Sequence, residues 1–285
     1  MILLFYSDAH LHVNPMKGLG ADRISKKFKS KGGWFISIVS LPPYHYGFNE
    51  VNVESYKKTL DLITREAVKA KEHELEVVKF IGFHPAEIDN YYKLGVKADK
   101  LLKLIDEVFK LIEQALRDNL IDGIGEVGRQ HYGTSPERLV FSESVMIRAL
   151  MLARDYDVPV QLHLEQGGLA TAYSIKLLAS NIGISTDKTI MHHANFETAT
   201  WSELYDIVFT APVKYFDEKY ASNKWKHCMM ESDFIDDPSR PGVSAYPWEI
   251  PEVIDKLVEK QVLSEEQAYR ILVDNVVKTF KVKPP

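Results

Sequence analysis

This 285-residue chain is poor in cysteine: Cys228 stands alone. No internal disulfide can form, which fits a reducing compartment rather than a disulfide-stapled secreted scaffold. No stretch of about 18 uninterrupted apolar residues occurs, so no membrane-spanning helix is expected. The opening run MILLFY is too short to span a bilayer and lacks both a basic n-region and a small-residue cleavage site. A soluble, cytoplasmic protein is therefore expected. An excess of positive charge is also missing. Thirty-five Lys and Arg face 40 Asp and Glu, a net charge of −5, so a polyanion would need a local basic patch. No glycine-rich phosphate fingerprint follows the first apolar run, which weakens a dinucleotide-binding reading. Repeats, low-complexity tracts and linkers are absent too, and residues 1–285 are expected to form one domain.

What is present is a regular alternation. Short apolar, β-branched or aromatic runs lie at 2–10, 34–40, 77–83, 121–128, 158–164, 188–194, 206–212 and 227–234. Most are apolar on both faces, as suits strands covered on both sides. Helical spacing fills the intervals at 53–70, 98–116 and 135–157, the last with Ser135 as candidate N-cap and Pro136 at the first helical position. SEEQ, 264–267, reads as a capping box opening a final helix toward Phe280. Eight strands alternating with helices predict an α/β fold, a (β/α)8 TIM barrel, with a doubly wound open sheet as the rival.

Polar residues collect at the C-terminal ends of these strands, where a barrel builds its active site. The first strand ends in Asp8, His10 and His12, which share a face because the side-chain period is two. The fourth carries Glu126, the fifth His163, the sixth His192 and His193, and the eighth Glu231 and Asp233. A lone histidine on an apolar strand is more often a packed residue, and a strand-end carboxylate more often a cap. Five such ends converging on one mouth change that balance, because carboxylates and imidazoles around a divalent cation satisfy one another. Adjacent strand residues face opposite sides, so only one of His192 and His193 is expected to face inward.

The segments DAHLH, GFHPAE, GEVGRQHY, VQLHLE, MHHANF and ESDFIDDP resemble, in order and spacing, the TatD-like metal-dependent hydrolases of the amidohydrolase superfamily. An archaeal TatD-related branch is most similar. The resemblance runs from residue 7 to the final helix. It implies a hydrolase with one or two divalent ions, zinc, manganese, magnesium, iron or nickel, at the barrel mouth. His10 and His12 match the HxH ligands of a first metal and Glu126 the carboxylate able to bridge two. His163 and one of the 192–193 pair match ligands of a second, and the family pattern puts the ligand first, at His192. Asp233 matches the aspartate that contacts the first metal and takes a proton from the attacking water. His84 matches a non-ligand histidine near the substrate. Glu231, one layer deeper than Asp233, is expected to hydrogen-bond rather than ligate.

Departures from the family pattern bear on the substrate. GRQHY, 128–132, replaces the usual GLDY and adds Arg129 and His131 as candidate substrate contacts, although a loop-fixing salt bridge is an equal alternative for Arg129. Arg240 enters near the mouth through DDPSRPG. The aromatic loop LPPYHYGFN, 41–49, offers Tyr44, Tyr46 and Phe48 for stacking, or packs as a lid. Lys17 and Lys214 add charge nearby, unless they are simply solvated. A glutamate rather than a carbamylatable lysine on strand four favours phosphoesters: a DNA 3′ end, single-stranded DNA or a nucleotide-like molecule. The alternatives are a lactone, amide or carboxylic ester hydrolase, or a catalytically silent metal-binding scaffold. No membrane partner is expected.

Overall fold

The computed structural model describes residues 4–240 and 242–285. Its element order alternates as the apolar spacing requires: β1 (Tyr6–Leu11), α1 (Gly20–Lys29), β2 (Gly33–Val39), α2 (Val53–Lys71), β3 (Glu76–Ile81), α3 (Pro85–Lys93), α4 (Ala98–Arg117) and β4 (Gly123–Gly128). There follow α5 (Pro136–Tyr156), β5 (Val160–His163), α6 (Leu169–Ile182), β6 (Thr189–Met191), α7 (Phe196–Leu204), β7 (Phe209–Pro212), α8 (Glu218–Ala221) and β8 (Cys228–Glu231). α9 (Glu249–Glu259), α10 (Glu265–Tyr269) and α11 (Asn275–Phe280) end the chain, a π turn at Arg270–Asp274 joining the last two. The expected first strand starts at residue 2; positions 2 and 3 lie outside the described residues.

The strands pair in parallel, in the order β1 to β8. Closure comes from β8 and its following turn. Asp233 N donates to His10 O at 3.1 Å, and His12 N donates to Phe234 O at 2.8 Å. Asp8 adds a side-chain clasp, accepting from Ser232 N at 3.0 Å and Ser232 Oγ at 2.5 Å. The eight-stranded alternative to an open sheet is thus realised as a (β/α)8 barrel.

Burial follows the sequence pattern. β1, β2 and β4 are buried at every residue, which only a strand covered on both faces can be. In α4, Leu101, Leu104, Ile105, Val108, Phe109 and Ile112 recur at helical spacing and are all buried in the core. Gly128 has φ +148°, and a Cβ there would lie 1.9 Å from His163 O. A side chain at 128 would push β4 off β5 and break the 2.8 Å bond from Arg129 N to His163 O. Among the described residues no helix is long and apolar enough to cross a membrane.

Two caps differ from expectation. Ser135 occupies the N-cap of α5, but its side chain makes no capping bond. Ser264 does cap α10, accepting from Gln267 N at 3.1 Å, whereas the Gln267 side chain donates outward to Trp225 O rather than closing the box. Several expected strands also end early. β6 stops at Met191 and β8 at Glu231, so the histidine pair lies in a turn past β6 and Asp233 in the irregular segment just past β8.

Candidate metal centre

The strand ends converge on one cavity of about 920 Å³ at the C-terminal mouth. His12, His84, Glu126, His131, His163, His192, His193 and Asp233 all line it. Glu126 is at its floor. One oxygen, Oε1, lies 3.4 Å from His10 Nε2 and 3.2 Å from His12 Nε2. The other, Oε2, lies 2.8 Å from His163 Nδ1, 3.5 Å from His84 Nε2 and 3.7 Å from His192 Nε2. Asp233 Oδ1 stands 3.8 Å from His192 Nε2 and 4.0 Å from His12 Nε2. Four overlapping trios have ligand atoms within 4.8 Å of one another: His10–His12–Glu126, His10–His192–Asp233, His84–Glu126–His163 and His131–His163–His193. These groups could hold a metal ion.

The strand alternation expected at His192 and His193 does not apply. Both histidines line the cavity, because β6 has already ended and His193 takes φ +45°, which returns its side chain to the mouth. Asp233 adopts φ +51° for the same result at the end of β8.

Hydrogen bonds on the outer ring nitrogens fix which nitrogen carries the proton. His12 Nδ1 donates to Val39 O at 2.8 Å, and His192 Nδ1 donates to Glu231 Oε2 at 2.8 Å. His10 Nδ1 donates to Gln161 Oε1, whose amide group is oriented by donating to Ala9 O and Ser37 Oγ. When these rings are neutral, Nε2 is the nitrogen left with a lone pair, and it is aimed at Glu126 or Asp233. His84 is the reverse: Ala86 N donates to its Nδ1 at 3.0 Å, so the neutral ring carries its proton on Nε2. Glu87 completes that turn by accepting from His84 N at 2.9 Å.

The electrostatics suit a cation. Burial pushes the His163 imidazolium down to about 4, with His84 adding to the effect. Burial and then His10 hold His192 well below its ordinary value; burial and then His163 do so for His193. These rings are therefore neutral and available as donors at pH 7. His10 moves up to about 9: burial opposes its charge, but Glu126, Glu231 and Asp233 outweigh that. Burial would also raise Glu126, yet His84, His192 and the bonds from His10 and His12 hold it well below the carboxylate range. Asp233 is raised, first by desolvation in the recess, although about a third of its side chain, 31%, faces the open cavity. A set of imidazoles gathered around one anionic carboxylate fits a divalent metal ion.

The candidate substrate contacts separate. His131 lies against His163, Nδ1 to Nε2 at 2.7 Å. Arg129 is not at the mouth. Its guanidinium is engaged by Glu165 at 2.7 and 2.8 Å, by Glu143 at 3.1 Å and by Ser174 at 2.9 Å, which is the loop-fixing alternative. Arg240 lines the rim beside Tyr44 and His45, is exposed, and helps burial hold His45 down to about 4. Of the aromatic loop, Tyr46 is buried with its hydroxyl on Leu41 N, while Tyr44 faces the cavity. Lys214 also reaches the rim, its Nζ tied to Gly242 O at 2.6 Å. Glu231 is fully buried and bonds His192, as its depth implied. Gln161 and Gln166 escaped notice in the sequence. Gln161 had a signal, a polar residue two before His163 on the same strand face; Gln166 had none.

Residues 7–281 match the sequence model of the TatD related DNase family. The uncharacterized protein MJ1127 of Methanocaldococcus jannaschii is 27% identical over 278 residues, covering 96% of this chain and 95% of that protein. The fold is shared with the TatD-like protein AF1765 of Archaeoglobus fulgidus (TM-score 0.64, 20% identity, 97% of this chain and 100% of that one). It is shared as well with the TatD homologue YjjV of Escherichia coli (TM-score 0.67, 18% identity, 98% of each chain). With its barrel, its carboxylate-centred histidine cluster and a match across nearly its whole length, this chain belongs to the TatD related DNase family.

Proposed function

We propose that this protein hydrolyses phosphoester bonds at one or two divalent metal ions held by His10, His12, Glu126, His163, His192 and Asp233. The observation that carries the reading is Glu126, whose two oxygens face different nitrogen donors, Oε1 toward His10 and His12 and Oε2 toward His163. Glu126 would thus be a ligand common to both sets of histidines. A divalent cation bound there supplies Lewis acidity toward water and toward a substrate oxygen. Glu126, held anionic, keeps the histidines in register. Asp233 Oδ1 accepts the proton of the attacking water and returns it to the departing oxygen, a task its raised pKa suits. His84, with Nε2–H toward the cavity, donates to the substrate. His131 Nδ1, 2.7 Å from His163 Nε2, orients that ring.

Single-stranded DNA, a DNA 3′ end or a nucleotide-like phosphoester fits the mouth best. The family's description, the rim charges Arg240 and Lys214 and the exposed ring of Tyr215 support it. The net charge of −5 speaks against a long duplex. Metal-stripped protein reloaded with zinc, manganese or magnesium should cleave labelled single-stranded oligonucleotides or a nitrophenyl phosphodiester. Turnover of lactones alone would replace this reading with carboxylic ester hydrolysis, and none with any metal would favour a silent scaffold.

A further inference from the structure

We propose that His193 is not a metal ligand but a hydrogen-bond donor to an anionic substrate oxygen, fixed in that role by Gln166. The proposal rests on the hydrolase reading above and adds an oxyanion subsite to it.

The argument starts at Asn195. Its backbone N–H, which can only donate, gives a 2.8 Å bond to Gln166 Oε1. The amide of Gln166 is thereby oriented, and its Nε2 group donates to Leu164 O at 3.2 Å and meets His193 Nδ1 at 3.1 Å. An NH2 group cannot accept, so His193 Nδ1 must carry the lone pair and the ring's proton must be on Nε2. That nitrogen reaches the cavity 3.4 Å from His163 Nδ1. A nitrogen bearing hydrogen has no lone pair for a cation. It is instead a neutral donor at the place where a substrate oxygen approaches the cluster, and His84 Nε2–H is a second one. Both rings pack against His163, with centroids 4.8 and 4.6 Å away. His192, one residue earlier, has the opposite arrangement, with its outer nitrogen donating to Glu231. Adjacent histidines are thus split between two tasks by the groups behind them. The ligand class for the subsite is a phosphoryl or comparable oxyanion, whose charge strengthens each N–H contact.

The first test uses the zinc-loaded wild-type protein with 15N-labelled histidine. Long-range 15N–1H spectra should show His193 protonated on Nε2, with Nδ1 in the acceptor state. Protonation on Nδ1 would overturn the proposal. The second test measures zinc content, inorganic phosphate affinity by calorimetry, and kcat/KM on the nitrophenyl diester. His193→Ala should keep its zinc, and its phosphate affinity and kcat/KM should fall about tenfold to hundredfold. His193→Gln, which retains an N–H donor, should recover most of that loss. Loss of zinc in His193→Ala, phosphate affinity equal to wild type, or a wild type that binds no phosphate would each overturn it. Phosphate binding weakened by His193→Ala in a protein that turns over no ester would remove the hydrolase reading and leave the donor. Turnover with His193→Ala unaffected in every measurement would do the reverse.

Discussion

The two sides of the mouth are built from the same residue type and do different chemistry. On one side His10, His12 and His192 each donate a hydrogen bond outward, to Gln161, Val39 and Glu231, and when neutral turn a lone pair inward. On the other, His84 and His193 accept a hydrogen bond outward, from Ala86 N and Gln166 Nε2, and turn N–H inward. The first three rings are buried and the other two are half-buried, but depth alone does not assign the protons. The difference lies in whether the atom behind each ring is an oxygen acceptor or an N–H donor, because a neutral imidazole has only one proton to place. Glu126 stands between the two sides and touches both.

The strongest way to break the comparison is to remove that shared carboxylate. Glu126→Gln should lower metal content and cut turnover by about 10³-fold or more, since cluster and chemistry fail together; elemental analysis beside an activity assay checks this. Asp233→Asn should separate binding from chemistry, retaining at least one ion while turnover falls roughly 10²- to 10⁴-fold. A near-normal rate would remove Asp233 as the proton carrier.

Glu231→Gln sharpens the contrast by changing only the atom behind His192. An amide offers His192 a weaker acceptor or a competing donor, so metal affinity should fall about 10- to 100-fold, read by chelator competition. Unchanged affinity would mean that the outer partner does not select the ligand nitrogen.

The smallest expected effect is on stability. Burial pushes Glu87 up to about 7 from 4.5, against the downward pull of bonds from Tyr56 and His84. The folded chain then keeps a proton that the unfolded chain releases near 4.5. The stabilisation is full below that pH and is lost as pH rises to about 7, by on the order of 3 kcal/mol. Glu87→Gln should flatten this slope in urea unfolding measured between those pH values, with His84 still capping α3.

Much of this was legible in the sequence, for local reasons. Apolar runs spaced by helical stretches specify strands and helices through side-chain periodicity, and eight of them in turn leave few ways to bury both faces of the sheet. His10 and His12 share a face because a strand repeats every two residues, and Glu126, His163 and Asp233 stand at strand ends where a barrel opens. Periodicity failed where regular structure stopped. At His193 and Asp233 a positive φ re-aims the side chain, and no alternation rule extends past the last strand residue. Arg129 was undecided because its partners, Glu143 and Glu165, lie 14 and 36 residues away.

What the sequence by itself determined is the barrel and the identity of the groups that meet at its mouth. Only the tertiary structure decided what each of those groups can do. His10 receives its acceptor from Gln161, 151 residues away, and His192 from Glu231, 39 away. A tautomer is set by the single atom within hydrogen-bonding distance of the outer nitrogen, and that atom is supplied by folding.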